Sequence, residues 1–284
     1  MLMISYMPKY EKLLETLSST SGAVVAFSGG VDSALLLKAA KDALGKNILA
    51  LTGCLDLAPS DNLKKAREIA KSLDIEHLVI DAGQLENKYF LNNTNKRCYF
   101  CKQMLFNKMR RVADKKGFCV LLDGTNADDE AEFRPGRLAA KELGVRSPLV
   151  EAGLKKNEIG EILKGLGLPD WNRPSDTCLA TRIPYGEKIT TSKLKKIDEA
   201  ELLLKSFGFK NIRVRLHGEH AARIEAQGSD IPLFFEAKTR NLILDEFRKI
   251  GFIYTAVDLG GYRPAVPTVR QAVPASGTEI RTDR

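Results

Sequence analysis

The chain has 284 residues, 44% of them hydrophobic and 28% charged, with a formal net charge of +8. That length buries a sizeable core and suits two domains, and no apolar run approaches the roughly 20 residues that cross a bilayer, so no membrane role is expected. Lys and Arg are interleaved with acids, as in Asp61–Lys71, with no basic tract; the positive surplus favours nucleotides and phosphate-bearing small molecules over a dedicated DNA-binding surface.

Residues 7–17 place apolar side chains at helical spacing and precede the short β-branched run Ala23–Phe27, closed by Gly29 and Gly30. This pattern predicts a helix and then a buried strand. Helical periodicity resumes over Ala34–Leu44 and stops at Gly45, and Asn47–Thr52 reads as a second strand, which makes a βαβ unit. The alternation continues with a helix over Asn62–Leu73, a strand over His77–Ile80, a helix over Lys102–Lys116, a strand over Cys119–Leu122 and a helix over Arg137–Leu143. Strands that are apolar throughout and alternate with helices predict an α/β fold, a parallel sheet covered on both faces.

A further helix over Leu154–Leu166 ends at Gly167 and Pro169, and a loop over Asp170–Gly186 follows. Beyond it lie a helix over Lys193–Phe207, strands over Asn211–Leu216 and Ala222–Ala226, a helix over Phe234–Ile250 and a strand over Ile253–Asp258, the pattern of a small α+β domain. The expected division is 1–184, 185–263, and a Pro-containing tail over 264–284 that is expected to be extended or disordered. No export signal is read at the N-terminus, so the five cysteines are expected as reduced thiols in the cytoplasm, used for metal binding or catalysis.

Ser28-Gly29-Gly30-Val31-Asp32-Ser33 lies between the first strand and the helix expected at Ala34, where free backbone N–H groups and the helix dipole face an anion. Two glycines after a strand also make an ordinary tight turn. The hexad lacks the Lys of a Walker A loop and the spaced glycines of a dinucleotide fingerprint. It resembles the signature of the PP-loop ATP pyrophosphatases. That resemblance implies ATP and Mg2+ as cofactors, Ser28, Gly29, Gly30 and Ser33 around the released pyrophosphate, and Asp32 beside the magnesium as a catalytic residue.

Cys98 and Cys101 form a CxxC pair just before the helix expected at Lys102, where Arg97, Lys102 and Lys108 favour thiolate. The pair suits a metal site, a redox dithiol or two unreactive structural cysteines. Cys178 stands in a polar loop, Arg173–Gly186, that core packing explains poorly. Cys119 and Cys54, inside or at the end of apolar strands, read as small core residues.

Together the hexad, the segment Asn95–Lys102, the segment Asp123–Asp129 with Arg134-Pro135-Gly136, and the loop around Cys178 resemble the LarE-type ATP-dependent sulfur transferases, over most of the chain. These enzymes make the organic part of the nickel-pincer cofactor of lactate racemase. The resemblance implies a pyridinium-3,5-dicarboxylate mononucleotide as substrate, adenylylated by ATP and thiolated by a sulfur nucleophile. It also implies one of two sulfur sources: sacrifice of Cys178 itself, or sulfide carried on a [4Fe-4S] cluster held by Cys98, Cys101 and Cys178. Three thiolates leave one iron open, which suits a catalytic cluster; zinc with three thiolates is the competing metal.

Arg213 and Arg215 alternate on a strand, so both guanidinium groups share one face able to grip a phosphate, and the matching family positions bind the mononucleotide phosphate. A solvent-facing edge of an amphipathic strand has the same pattern. Glu201, Glu225 and Asp230 fall where relatives gather carboxylates for a divalent cation. A homo-oligomer without nucleic acid is the expected assembly; a tRNA thiolase of the same superfamily and a non-catalytic nucleotide-binding iron–sulfur protein are the competing readings, separated by bound tRNA and by pyrophosphate release.

Overall fold

The computed structural model describes residues 7–53, 55–130, 135–168 and 177–263. The expected tail over 264–284 and the first part of the loop at 170–186 lie outside them. In chain order the elements are α1 (Met7–Ser18), β1 (Ala23–Ala26), α2 (Val31–Leu44), β2 (Ile48–Thr52), α3 (Ser60–Ser72), β3 (His77–Val79), α4 (Lys88–Leu91), α5 (Arg97–Lys115), β4 (Val120–Leu122), α6 (Ala127–Glu130), α7 (Pro135–Glu142), α8 (Pro148–Glu151) and α9 (Lys156–Gly165). Then come α10 (Thr191–Ser206), β5 (Arg213–His217), β6 (Ala221–Glu225), α11 (Ala237–Ile250) and β7 (Tyr254–Val257).

The first four strands form one sheet in the order β3-β2-β1-β4, and every pair in it is parallel. Alternate residues of β1 go to opposite faces. Ala23 and Val25 join a core with α1, α2 and α9, whereas Val24, with Leu49, Leu51 and Leu121, packs on Leu105, Phe106 and Met109 of α5. Helices on both faces are why these strands carry no polar alternation. Leu35, Leu36 and Leu37 are all fully buried, so α2 is enclosed and not a surface helix; each such leucine contributes on the order of 2 kcal/mol from burial.

The second sheet has the order β5-β6-β7, with β5 antiparallel and β7 parallel to β6. Its core joins α10 and α11 to Leu179, Ile183 and Ile189, and draws in Leu57 and Phe90 from the first half of the chain. Among the described residues no helix is long and apolar enough to cross a membrane.

Three expectations are corrected. The first βαβ helix begins at Val31, not Ala34, because Gly30 in extended backbone caps it and Asp32 is accommodated in its first turn near the positive dipole end. Helix α5 begins at Arg97, not Lys102, so the CxxC pair sits inside the helix; Arg97 is buried there and donates to Asn93 Oδ1 at 2.5 Å, one turn back. Cys119 is exposed and precedes β4, not part of its apolar interior.

Candidate functional site

At the end of β1 the chain turns back into α2 through Gly29, at φ +76°, a left-handed conformation that glycine adopts freely. A Cβ there would stand 3.1 Å from the Ala66 Cβ and 3.2 Å from the Asn62 carbonyl oxygen on α3. The loop is internally fastened. Ser28 and Ser33 hydroxyls lie 3.1 Å apart, Ser33 Oγ donates to the Gly30 carbonyl at 3.0 Å, and the Gly30 amide donates to Ser28 Oγ at 3.3 Å.

The neighbouring strand β4 brings a second loop against this one. Gly124 lies so close that a Cβ would sit 3.0 Å from the Ser33 amide nitrogen. Asp123 holds that second loop by accepting from Thr125 Oγ1 at 2.9 Å and Ser147 Oγ at 2.7 Å, and Asn126 Oδ1 accepts the amides of Asp128 and Asp129 at 3.0 Å each. The result is an acidic group at the carboxyl ends of two adjacent parallel strands, where ligands of open α/β sheets bind. Burial pushes the Asp32 carboxyl up to about 6; Lys156 opposes this, Asp129 and Asp128 add to it, and a hydrogen bond from Asn126 opposes it. Asp32 Oδ1 is buried with no hydrogen-bond partner among the described residues. A buried carboxylate oxygen left in this way suits a metal ion, for which Asp128 and Asp129 are neighbouring acidic groups.

The raised value sets a pH dependence. Between the unfolded carboxyl value of 3.8 and about 6 the folded state holds the proton more tightly, so the Asp32 contribution to stability falls as pH rises through this window and reaches a cost of about 3 kcal/mol above it. Metal binding needs the carboxylate, so pyrophosphate release should show the opposite trend. At subsaturating magnesium kcat/KM is expected to fall on the acid side as Asp32 takes up its proton, and the fall is expected to move to lower pH as magnesium is raised, measured by pyrophosphate release from pH 5 to 8; a profile that is flat at subsaturating magnesium would contradict Asp32 as the titrating group.

The second constellation lies at the other sheet. Cys98 and Cys101, at i and i+3 in the first turns of α5, share one side of the helix. Cys101 and Cys178 pack against the same core. Burial pushes the Cys178 thiol up to about 12, with Cys101 and, more weakly, Cys98 adding to it while the Ala180 amide and Arg97 oppose it. The two segments, far apart in sequence, therefore bring three thiols within electrostatic reach of one another. Among the described residues no group of three His, Cys, Asp or Glu side chains stands at the separation one ion needs.

Arg213 is buried, and it has no carboxylate partner among the ion pairs of the described residues. Its guanidinium lies 4.5 Å over the Tyr262 ring, with Nη2 donating to the Tyr262 hydroxyl at 3.1 Å and Nη1 to the Arg263 carbonyl at 2.5 Å. Burial lowers its pKa, Tyr262 opposes this, and Arg182 and Arg215 add to it. Arg215, by contrast, forks onto Glu225 at 2.9 and 3.1 Å and donates to the Thr181 carbonyl at 2.7 Å.

At the divalent site expected from Glu201, Glu225 and Asp230, two of the three carboxylates already have guanidinium partners within this chain. Glu201 is bound by both arms of Arg182, Glu225 is bound by Arg215 with Arg223 at 3.4 Å, and Asp230 meets the Ser229 hydroxyl outside the strands. Carboxylates neutralised by guanidinium have little left to offer a cation. Sequence reasoning missed Gly124, Asn126, Asp128 and Asp129 as neighbours of Asp32, because the pairing of β4 with β1 that brings them there is not a local feature of the sequence. It also missed Arg182.

This parallel sheet with its glycine loop and buried aspartate defines an ATP-binding protein of the PP-loop class. Residues 9–115 match the NAD synthase family profile, and the chain is 28% identical, over 51% of its length and 53% of the relative's, to an NH(3)-dependent NAD(+) synthetase of Fusobacterium nucleatum. Much longer matches reach an uncharacterised protein of Synechocystis, 37% identical over 90% of this chain and 95% of that one. The pyridinium-3,5-bisthiocarboxylic acid mononucleotide synthase of Lactiplantibacillus plantarum is 34% identical over 90% of this chain and 92% of that enzyme. The chain belongs to the family of that synthase.

Proposed function

We propose that this protein converts the carboxylates of a pyridinium-3,5-dicarboxylate mononucleotide into thiocarboxylates, with ATP as activator, in the biosynthesis of a nickel-pincer cofactor. The single observation that carries this reading is the continuity between thiol and arginines: Arg182 reaches the Cys178 carbonyl, and Arg215 holds the carbonyl of Thr181, three residues further on. A sulfur-bearing residue thus lies beside a strand whose buried Arg213 has no carboxylate partner among the described residues and suits a phosphate. The unit at 1–184 would bind ATP and the smaller unit at 185–263 the substrate phosphate.

The substrate carboxylate oxygen attacks the α-phosphorus of ATP and pyrophosphate leaves along the glycine loop. Sulfide then adds to the acyl carbon and AMP leaves with that oxygen, consuming one ATP per sulfur. Asp32 would hold magnesium, which supplies charge neutralisation for the departing pyrophosphate. Cys98, Cys101 and Cys178 would hold a [4Fe-4S] cluster, which supplies an iron with an open position for sulfide. Cys101 and Cys98 disfavour the Cys178 thiolate, and thiolates brought close together in an apolar setting are stabilised by a cation.

The test is substrate-dependent pyrophosphate release by anaerobically purified protein. Arg213→Ala is expected to raise KM for the mononucleotide about 10- to 100-fold with kcat within a few-fold, since a charge-assisted phosphate contact is made in ground and transition states alike. An unchanged KM with a lowered kcat would remove Arg213 from phosphate binding.

A further inference from the structure

Arg182 is the largest fully buried side chain among the described residues. Its Nε and Nη2 fork onto Glu201 at 2.8 and 3.2 Å. Its Nη1 faces the chain around Cys178, donating to the Thr177 carbonyl at 3.1 Å, to Thr181 Oγ1 at 2.9 Å and to Thr177 Oγ1, and it lies 3.5 Å from the Cys178 carbonyl. Thr181 in turn donates to that same carbonyl from its hydroxyl at 2.7 Å and its amide at 2.9 Å.

Glu201 has a second task. Its Oε1 also accepts the amide of Val214 at 3.0 Å, the residue between Arg213 and Arg215. One carboxylate therefore touches the strand that carries Arg213 and Arg215 and, through Arg182, the backbone of the cysteine. A buried ion pair is a poor choice for stability alone, since apolar side chains of similar volume commonly do as well or better. Apolar side chains cannot, however, fix a carbonyl and an amide from two segments at a set separation, which directional hydrogen bonds do.

We propose that Arg182 and Glu201 are a positioning pair that fixes the Cys178 thiol relative to the Arg213 and Arg215 strand, with Glu201 serving as the acceptor of this pair and not as a cation ligand. The role in turnover rests on the reaction proposed above; the placement of the thiol does not. The pair tolerates neither arm alone: Glu201→Gln leaves a buried guanidinium without its charge partner, and Arg182→Lys keeps the charge but loses the fork.

The test uses the full chain with Arg182→Lys, Glu201→Gln and the double replacement R182M/E201L, which removes both charges and so leaves no buried charge unpaired; folding of each variant is checked by circular dichroism. Iodoacetamide labelling of cluster-free protein, resolved by peptide mass spectrometry, is expected to accelerate at least about tenfold at Cys178 in each variant, with the exposed Cys119 as an unchanged internal reference. In reconstituted protein kcat for thiolation is expected to fall at least about tenfold with substrate KM within threefold. Cys178 labelling within twofold of the parent rate in R182M/E201L would overturn the proposal. So would Mn2+ binding by the parent protein that Glu201→Gln alone abolishes. Failure of the parent protein to thiolate the mononucleotide, with Cys178 labelling accelerated as expected, would defeat the reaction and keep the pair.

Discussion

Asp32→Asn is expected to lower pyrophosphate release by about a thousandfold while raising the thermal midpoint of the ligand-free protein at pH 8. The two effects share one cause. Asp32 is pushed up to about 6 chiefly by burial, and among the described residues its Oδ1 has no hydrogen-bond partner, so the carboxylate is a liability to the fold above that pH, which the hydrogen bond from Asn126 only partly offsets and a bound cation would relieve. Asparagine removes the buried charge and, with it, the metal-binding group. Differential scanning fluorimetry alongside a pyrophosphate assay reads both. Lost activity with a lowered midpoint would mean that the substitution damages the loop and not the metal contact. Gly29→Ala is the complementary case: it needs a left-handed residue and a Cβ 3.1 Å from Ala66, so activity and midpoint should fall together.

The second large effect is at the thiol. Cys178→Ala is expected to abolish thiolation and the brown colour of anaerobically purified protein, while adenylylation, read as pyrophosphate release, continues at a reduced rate. Cys98→Ala and Cys101→Ala should match it. If Cys178 were the sacrificed sulfur donor, it alone would be essential, and each turnover would remove hydrogen sulfide from the chain by β-elimination. Intact-protein mass spectrometry separates the two: dehydroalanine at Cys178 in iron-free, active protein would defeat the cluster and leave Cys98 and Cys101 without a role. Cys178 is half-buried, and desolvation pushes its thiol up to about 12, which argues against it as a free nucleophile near neutral pH.

The doubly wound half of the molecule was legible in the sequence because its strands are apolar on both faces and its helices are punctuated by Gly30, Gly45 and Gly167. The phosphate loop was legible for the same reason, since glycine positions and the Ser and Asp between them are local features. Contacts made across the fold were not. Nothing in the spacing of Asn126, Asp128 and Asp129 says that β4 pairs with β1 and delivers them to Asp32. Nothing local distinguishes Glu201 as a partner of Arg182 from Glu201 as a cation ligand, because the pair is joined through packing of α10 on the turn after Cys178. The start of α5 was misplaced because Arg97 is charged yet buried, its cost offset by Asn93 and the face of Tyr185.

Anaerobic protein reconstituted with iron and sulfide should be mixed with ATP, magnesium, sulfide and the pyridinium-3,5-dicarboxylate mononucleotide, and the small-molecule product should be weighed by mass spectrometry. The account predicts replacement of carboxylate oxygen by sulfur over many turnovers, with one pyrophosphate and one AMP released for each sulfur incorporated. Pyrophosphate release that never yields a thiocarboxylate, or thiolation that proceeds without ATP, would contradict it.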